Sequence, residues 1–492
     1  MRIIKFLISL SITLVLIWAL DKSWEVNQTR IPPLGKFLDP FHGFWQNLEP
    51  THYQFPENLD IPGLQQPVTI IFDSLMIPHI FAQNDADLYL AQGYVTAMHR
   101  LWQMEFQTHA AAGRISEIIG PGKDDAVLNY DRSQRRLGMV YAADNALRLM
   151  IKRPEARLVV NSYTDGINAY IRSLNYRSLP VEYKLMDYSP ENWTPLKCAL
   201  LLKSMAQTLN MGDKDMQMTN ALKLFGPDLV NLLYPDREPV ADPIVEKPNA
   251  WDFEPVKLDS VPSALPDELI KISGLTIPDP TIGSNNWAVA GSKTQSGSPI
   301  LCNDPHLNTT LPSIWYAIQL NAPGINSMGA SLPGAPGVIS GFNDSIAWGV
   351  TNAQRDLVDW YAIHFDNLKM NRFLLDGEWI DTRKIIEKID IRGKEPFYDT
   401  VTYTYWGPVV YDHSYRSENN RKYYAFRWIA HDESEELLTF YELNRARNHS
   451  DYMKALDHFS SPAQNFVFAS VSGDIAMRIQ GKFPVRRKNE GK

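Results

Sequence analysis

The chain begins with a nearly unbroken apolar run, FLISLSITLVLIWAL, set behind Arg2 and Lys5. From Leu88 the stretch LYLAQGYVTAMHRLWQMEFQTHAAAGRISEIIG brings Leu101, Met104, Ile115, Ile118 and Ile119 round near the helical period, with good helix formers between them. EARLVVNSYTDGINAYIRSL and CALLLKSMAQTL repeat that pattern, which predicts a helix-rich region whose apolar stripes pack a core. Between about residues 234 and 283 the periodicity fails. YPDREPVADPIVEKP and VPSALPDELIKISGLTIPDPTIG carry closely spaced prolines that interrupt helices and central strands, so this acidic stretch reads as a spacer. After it the period shortens to two: NNWAVAG alternates, QSGS supplies a turn and PILC resumes, which predicts a β-hairpin. KIDIRG, VTYTYWGPVVY, YYAFRWIA and NFVFASVSGDIAMRI are strand-like by alternation and by their β-branched and aromatic content. The pattern divides the chain into a terminal segment 1–22, a helix-rich region 23–235, a spacer 236–283 and a strand-rich region 284–492, an α+β organisation.

Composition narrows the function. With 44% hydrophobic and 21% charged residues over 492 positions, the chain can bury a large core in two or more lobes. A net charge of -8 without Lys/Arg clusters argues against a nucleic-acid partner and for a small molecule. The basic residues ahead of the first apolar run have the order of an export signal, so the body of the chain is expected outside the cytoplasm, periplasmic or membrane-anchored. As a helix that run spans about 22 Å against a hydrocarbon core of roughly 30 Å, which favours a cleaved signal. The following ALDKSW is a poor peptidase site, which keeps an uncleaved anchor as the alternative. Cys198 and Cys302 cannot form a disulfide framework; they are buried thiols or a single bridge between the two halves.

Conventional hydrolase apparatus is missing. No serine sits in G-x-S-x-G, no S-x-x-K context stands out, and no H-E-x-x-H offers a zinc site. The remaining solution is a serine freed as a new chain terminus, whose own α-amine, with a pKa of about 8, serves as base without a partner histidine. Gly283 before Ser284 would let the hydroxyl attack the preceding carbonyl with little hindrance.

The stretch TIGSNNWAVAGSKTQSGSPILCNDPHL resembles the start of the catalytic subunit in the penicillin acylase family, among the N-terminal nucleophile hydrolases. There the nucleophile begins S-N-x-W-x-V after a glycine, and an N-x-P-[HQ] motif ends 22 positions on, here at His306. The resemblance implies autocleavage between Gly283 and Ser284, with Ser284 as nucleophile and His306 orienting it, as in the acyl-homoserine-lactone and cephalosporin types. FNDSIAWGVTNAQRDLVDWY is similar to the family's second block. It implies that the backbone N–H of Asn352 forms half of an oxyanion hole, and that Asp356, the Val358 carbonyl and Asp359 bind a structural calcium ion. MAQTLNMGDKDMQ adds Asp215 as a further calcium ligand, with Asp213 as the alternative. GYVTAMHRLWQMEF and AAAGRISEIIG resemble the amino-terminal subunit, so the likeness runs from about residue 65 onward. It implies a four-layer αββα sandwich, an N-acyl small-molecule substrate, and a heterodimer of the chain's own processed fragments. In the family the catalytic subunit continues beyond FPVRR and supplies a second oxyanion donor, an asparagine side chain. Relative to that pattern the chain, ending at Lys492, is expected to be C-terminally incomplete.

Two readings compete. A self-processing amidase acting on a β-lactam, an acyl-homoserine lactone or an acylated peptide predicts a fragment beginning SNNWAVAG. A non-catalytic exported binding relative that retains the pocket predicts an uncut chain.

Overall fold

The computed structural model describes residues 1–26, 29–48, 58–210, 214–235, 268–272, 283–416 and 422–486, so most of the expected spacer, and Asp213, lie outside the described residues. The first apolar run folds as helix α1 (Arg2–Asp21), none of whose residues is buried, and it is long and apolar enough to cross a membrane. The helix-rich region supplies α2 (Asp85–Ala112), α3 (Ala126–Arg136), α4 (Pro154–Ser173), α5 (Pro195–Asn210) and α6 (Asp215–Leu233). Helix α2 starts where the Asn84 side chain accepts the Asp87 N–H, an N-cap that satisfies one orphan donor. Helices α2 and α4 cross almost backbone on backbone. A Cβ on Gly93 would come within 2.1 Å of the Tyr163 carbonyl oxygen, and one on Gly166 within 1.9 Å of that of Leu90.

Region 23–235 is not purely helical. Strands β1 (Thr69–Phe72) and β2 (Pro78–Phe81) precede α2, and β2 pairs in parallel with β5 (Tyr316–Ala322) from the second half of the chain. They extend an eight-stranded sheet, ordered β15-β14-β8-β7-β6-β5-β2-β1, whose other members are β6 (Ile325–Ser331), β7 (Ser340–Phe342), β8 (Ile346–Asn352), β14 (Gln464–Ser470) and β15 (Ile475–Gln480). One core joins this sheet to the helices: Ile318, Leu320, Trp348, Phe466 and Phe468 pack with Leu101, Met104, Val160 and Tyr163. The strand-rich half in turn contains two helices, α7 (Glu436–Leu443) and α8 (His449–Leu456), in the same core.

The expected hairpin is present as β3 (Gly283–Val289) and β4 (Ile300–His306), antiparallel, with Ser284 opposite Pro305. It packs over β8 and β14 of the large sheet, while α2 contacts that sheet at β2 and β5 and α8 contacts it at β14. A separate five-stranded sheet, β9-β13-β12-β11-β10, comprises β9 (Val358–Ile363), β10 (Arg383–Ile389), β11 (Phe397–Thr404), β12 (Gly407–Tyr411) and β13 (Tyr423–Trp428). The fold is therefore mixed α+β with several sheets. Both cysteines are free: Cys198 is buried and accepts the Trp193 indole N–H at 3.3 Å, and burial pushes its thiol up to about 12. Cys302 is a free thiol too but only half-buried, so of the two alternatives the structure has free thiols and not the single bridge between the halves.

Candidate active site

Ser284 sits near the start of β3, directly beside the end of β8. The backbone N–H of Asn352 donates to Ser284 Oγ at 3.1 Å. That approach depends on how the hairpin is seated. Asn303 on β4 spans across to β8: its Oδ1 accepts from Val350 N at 2.6 Å and from Ser340 Oγ at 2.9 Å, and its Nδ2 donates to the Val350 carbonyl at 3.0 Å. The Gly349 position must stay bare for this contact, because a Cβ there would lie 2.2 Å from Asn303 Oδ1. At the other strand, Asn286 Nδ2 donates to the Asn465 carbonyl at 3.1 Å, and Asn465 Nδ2 donates to Thr351 Oγ1 at 3.1 Å. The Asn352 side chain is committed elsewhere, donating to the Leu209 carbonyl at 2.8 Å, so that it is the amide alone that faces the serine.

Ser284 and Asn352 line a cavity of ≈ 70 Å³ whose other walls are mainly apolar, among them Leu202, Met205, Trp315, Ile339, Phe440 and Phe459. The polar part of its lining includes Glu436, a buried carboxylate that accepts from Ser434 Oγ at 2.6 Å and Ser461 N at 3.2 Å and lies 3.6 Å from Lys203 Nζ. A nucleophilic oxygen, a backbone donor and an apolar cavity thus meet at one point, the arrangement that attack on an acyl carbonyl requires.

The model of the penicillin amidase family matches residues 67–492. The chain belongs to the penicillin amidase family. The acyl-homoserine lactone acylase QuiP of Pseudomonas aeruginosa is 30% identical to it over 449 residues, 88% of this chain and 51% of that protein. The penicillin acylase 2 proenzyme of Pseudomonas sp. is 31% identical over 357 residues, 72% of this chain and 45% of that protein. Penicillin G acylase of Escherichia coli is 25% identical over 475 residues, 85% and 54% respectively. The chain spans about half the length of the curated relatives it matches.

In this penicillin amidase family member the other expected residues fall less simply. His306 is opposite Gly283 rather than Ser284, so its side chain lies on the other face of the hairpin from the hydroxyl, half-exposed, with Nε2 2.7 Å from Asp304 Oδ2. Gly283 is in a strand with no positive φ, and a Cβ there would meet nothing nearer than His306 Nδ1 at 3.8 Å. Backbone conformation therefore does not demand glycine at this position.

Asp356, the Val358 carbonyl and Asp359 do converge, and their hard oxygens are of the kind calcium takes. The group between them is the Arg486 guanidinium. Its Nε donates to Asp359 Oδ1 at 2.8 Å, and its Nη2 donates to the Val358 carbonyl at 3.1 Å and lies 3.1 Å from Asp356 Oδ2. Burial alone would weaken the Arg486 charge, but the hydrogen bond and field of Asp359, followed by the fields of Asp356 and Asp215, hold it protonated more firmly than usual. As arranged, these residues do not fit a calcium ion. The motif reading missed Asn303 and Arg486, although both lie in quoted segments: Asn303 opens N-x-P-[HQ], and Arg486 is the first arginine of FPVRR.

Proposed function

We propose that this chain carries the nucleophile-bearing part of a self-processing amidase that removes an apolar acyl group from an N-acyl compound. The observation that carries the reading is the Asn352 amide hydrogen-bonded to Ser284 Oγ on the wall of the apolar cavity. Family membership supports it, as do relatives named as acyl-homoserine lactone and penicillin acylases.

In the first reaction Ser284 Oγ attacks the Gly283 carbonyl carbon, the Gly283–Ser284 amide becomes an ester, and water hydrolyses that ester. The products are a carboxylate on Gly283 and a free α-amine on Ser284. In the second, the amine takes the proton of the same hydroxyl as it attacks the substrate carbonyl, then passes it to the leaving amine. Water resolves the acyl-enzyme with the amine again as base. The Asn352 N–H stabilises the oxyanion in each addition, and His306, beside the cut bond, orients the new terminus. The cavity walls favour hydrocarbon or aromatic acyl groups over charged ones.

The hairpin starts a second sheet stacked on the large one, inside a four-layer αββα sandwich. The two fragments stay together as a heterodimer, and helix α1 directs the protein out of the cytoplasm as a signal or an anchor.

Intact mass and amino-terminal sequencing of the full chain, beside Ser284→Ala, test the proposal. The expected result is a fragment beginning SNNWAVAG from the parent and an uncut variant. A variant cut at the same bond would refute self-processing, and a parent that stays uncut and hydrolyses no N-acyl substrate would place the chain among binding relatives.

A further inference from the structure

Three oxygens that the family pattern assigns to calcium all lie against one guanidinium, in a partly exposed ion cluster. Arg486 reaches the Asp359 carboxylate at 2.8 Å, the Asp356 carboxylate at 3.1 Å and the Val358 carbonyl at 3.1 Å, with the Asp356 carbonyl 3.4 Å from both Nη atoms. Asp215, the ligand expected from the helix-rich half, adds its field to the same group. The guanidinium is planar and permanently charged, and its fork of donors matches carboxylates two at a time. A divalent ion needs those same oxygens at 2.3–2.6 Å, a typical calcium distance, and cannot reach them with the guanidinium between them.

We infer that Arg486 is the resident cation of this site, doing from within the chain what a calcium ion would do, so that the parent protein neither needs nor binds calcium there. The guanidinium supplies one positive charge where calcium would supply two, and it bonds the carboxylates of β9 and of the loop before it while the field of Asp215 at the start of α6 adds to its charge. The arginine also ties the segment after β15 to β9, a link that a free ion would not make. The inference is independent of whether the chain cleaves amides.

The test compares the metal-stripped full chain with Arg486→Ala and with Arg486→Ala/Asp356→Asn. Each is melted with chelator and with millimolar calcium, and calcium binding is titrated calorimetrically. The parent should melt at one temperature in both conditions and show no saturable binding. Arg486→Ala should melt several degrees lower in chelator, regain most of that loss in calcium, and bind the ion saturably. Asp356→Asn in the same chain should remove the regain. Saturable calcium binding by the parent, with a rise in its melting temperature, would overturn the inference, and so would an Arg486→Ala variant indifferent to calcium. If Arg486→Ala folds in neither condition, the titration of the parent still decides.

Discussion

At the scale of single residues, the chemistry-bearing positions divide by whether their role is local in sequence. Ser284 and Asn352 were legible because each sits in an ordered motif, and the structure places the amide of one 3.1 Å from the hydroxyl of the other. Arg486 was not, since an arginine near a chain end reads as a solvated charge until the fold returns it to Asp356 and Asp359. His431 was equally invisible, and it carries a pH prediction. Its Nε2 lies 2.8 Å from the Leu137 carbonyl, which makes that nitrogen the N–H donor, while Nδ1 is buried without a partner. Burial, against the opposing effect of the Leu137 hydrogen bond, lowers its pKa to about 4, whereas the unfolded chain binds the proton near a pKa of about 6.5. The unfolded state therefore holds more protons in between. The contribution is fully present above about pH 6.5 and is lost as pH falls toward 4, by roughly 3 kcal/mol at most. His99, lowered to about 4 chiefly by burial, acts in the same direction. Urea unfolding at about pH 7.5 and about pH 5 should show a stability drop in the parent that is smaller in His431→Gln; equal drops would assign the pH dependence to other groups.

At the scale of elements, periodicity located the hairpin, the long helices and the later strands, because each is long enough for its period to show. It failed where elements are short. β1 and β2 have four residues each and flank a turn next to a proline, and α7 and α8 have eight each inside a strand-like region. Their identity comes from the large sheet and its core, which no local window contains. Docking of the hairpin is likewise a tertiary property, and it can be broken at one atom. Gly349→Ala puts a methyl 2.2 Å from Asn303 Oδ1, so either Asn303 gives up its hydrogen bonds to Val350 or β4 lifts off β8. Ser284 would then be drawn away from the Asn352 amide. The variant is expected to fold, to lose on the order of 2 kcal/mol from the hydrogen bonds and packing, and to process at least roughly tenfold more slowly. A time course of fragment appearance on denaturing gels measures this, and processing at the parental rate would show that the Asn303 contact does not position the nucleophile.

At the scale of the whole molecule, the proposed cut before Ser284 would sever the chain without severing the fold. The helices and the large sheet share one core, and β2 with the edge strand β1, both from the first half, complete one side of a sheet otherwise built by the second. A second tie is ionic. Arg136, at the end of α3, is fully buried and donates to Asp399 at 2.6 and 2.8 Å, to Asp412 at 2.9 Å and to the Val410 carbonyl at 3.0 Å, all in the second half. Burial is the largest influence and opposes the charge on Arg136, but its hydrogen bonds to Asp399 and Asp412 and the fields of both carboxylates together outweigh it and keep the guanidinium protonated. Removing it leaves Asp412, 1% exposed, with no cation among the described residues and only the Ser414 hydrogen bonds, and leaves Asp399, 5% exposed, with Arg132 alone at 3.1 Å, which costs about 3 kcal/mol, far more than losing an exposed pair would. If the chain is cut as proposed, this cost falls between the fragments and should appear as weakened association. Processed Arg136→Ala should release its fragments in size-exclusion chromatography at a urea concentration where the parental pair still co-elutes, while the uncut form of the same variant stays in one peak. Co-elution of the variant's fragments at the same urea concentration as the parent would mean that the shared apolar core alone holds the halves together, and that the buried arginine serves only to neutralise Asp399 and Asp412.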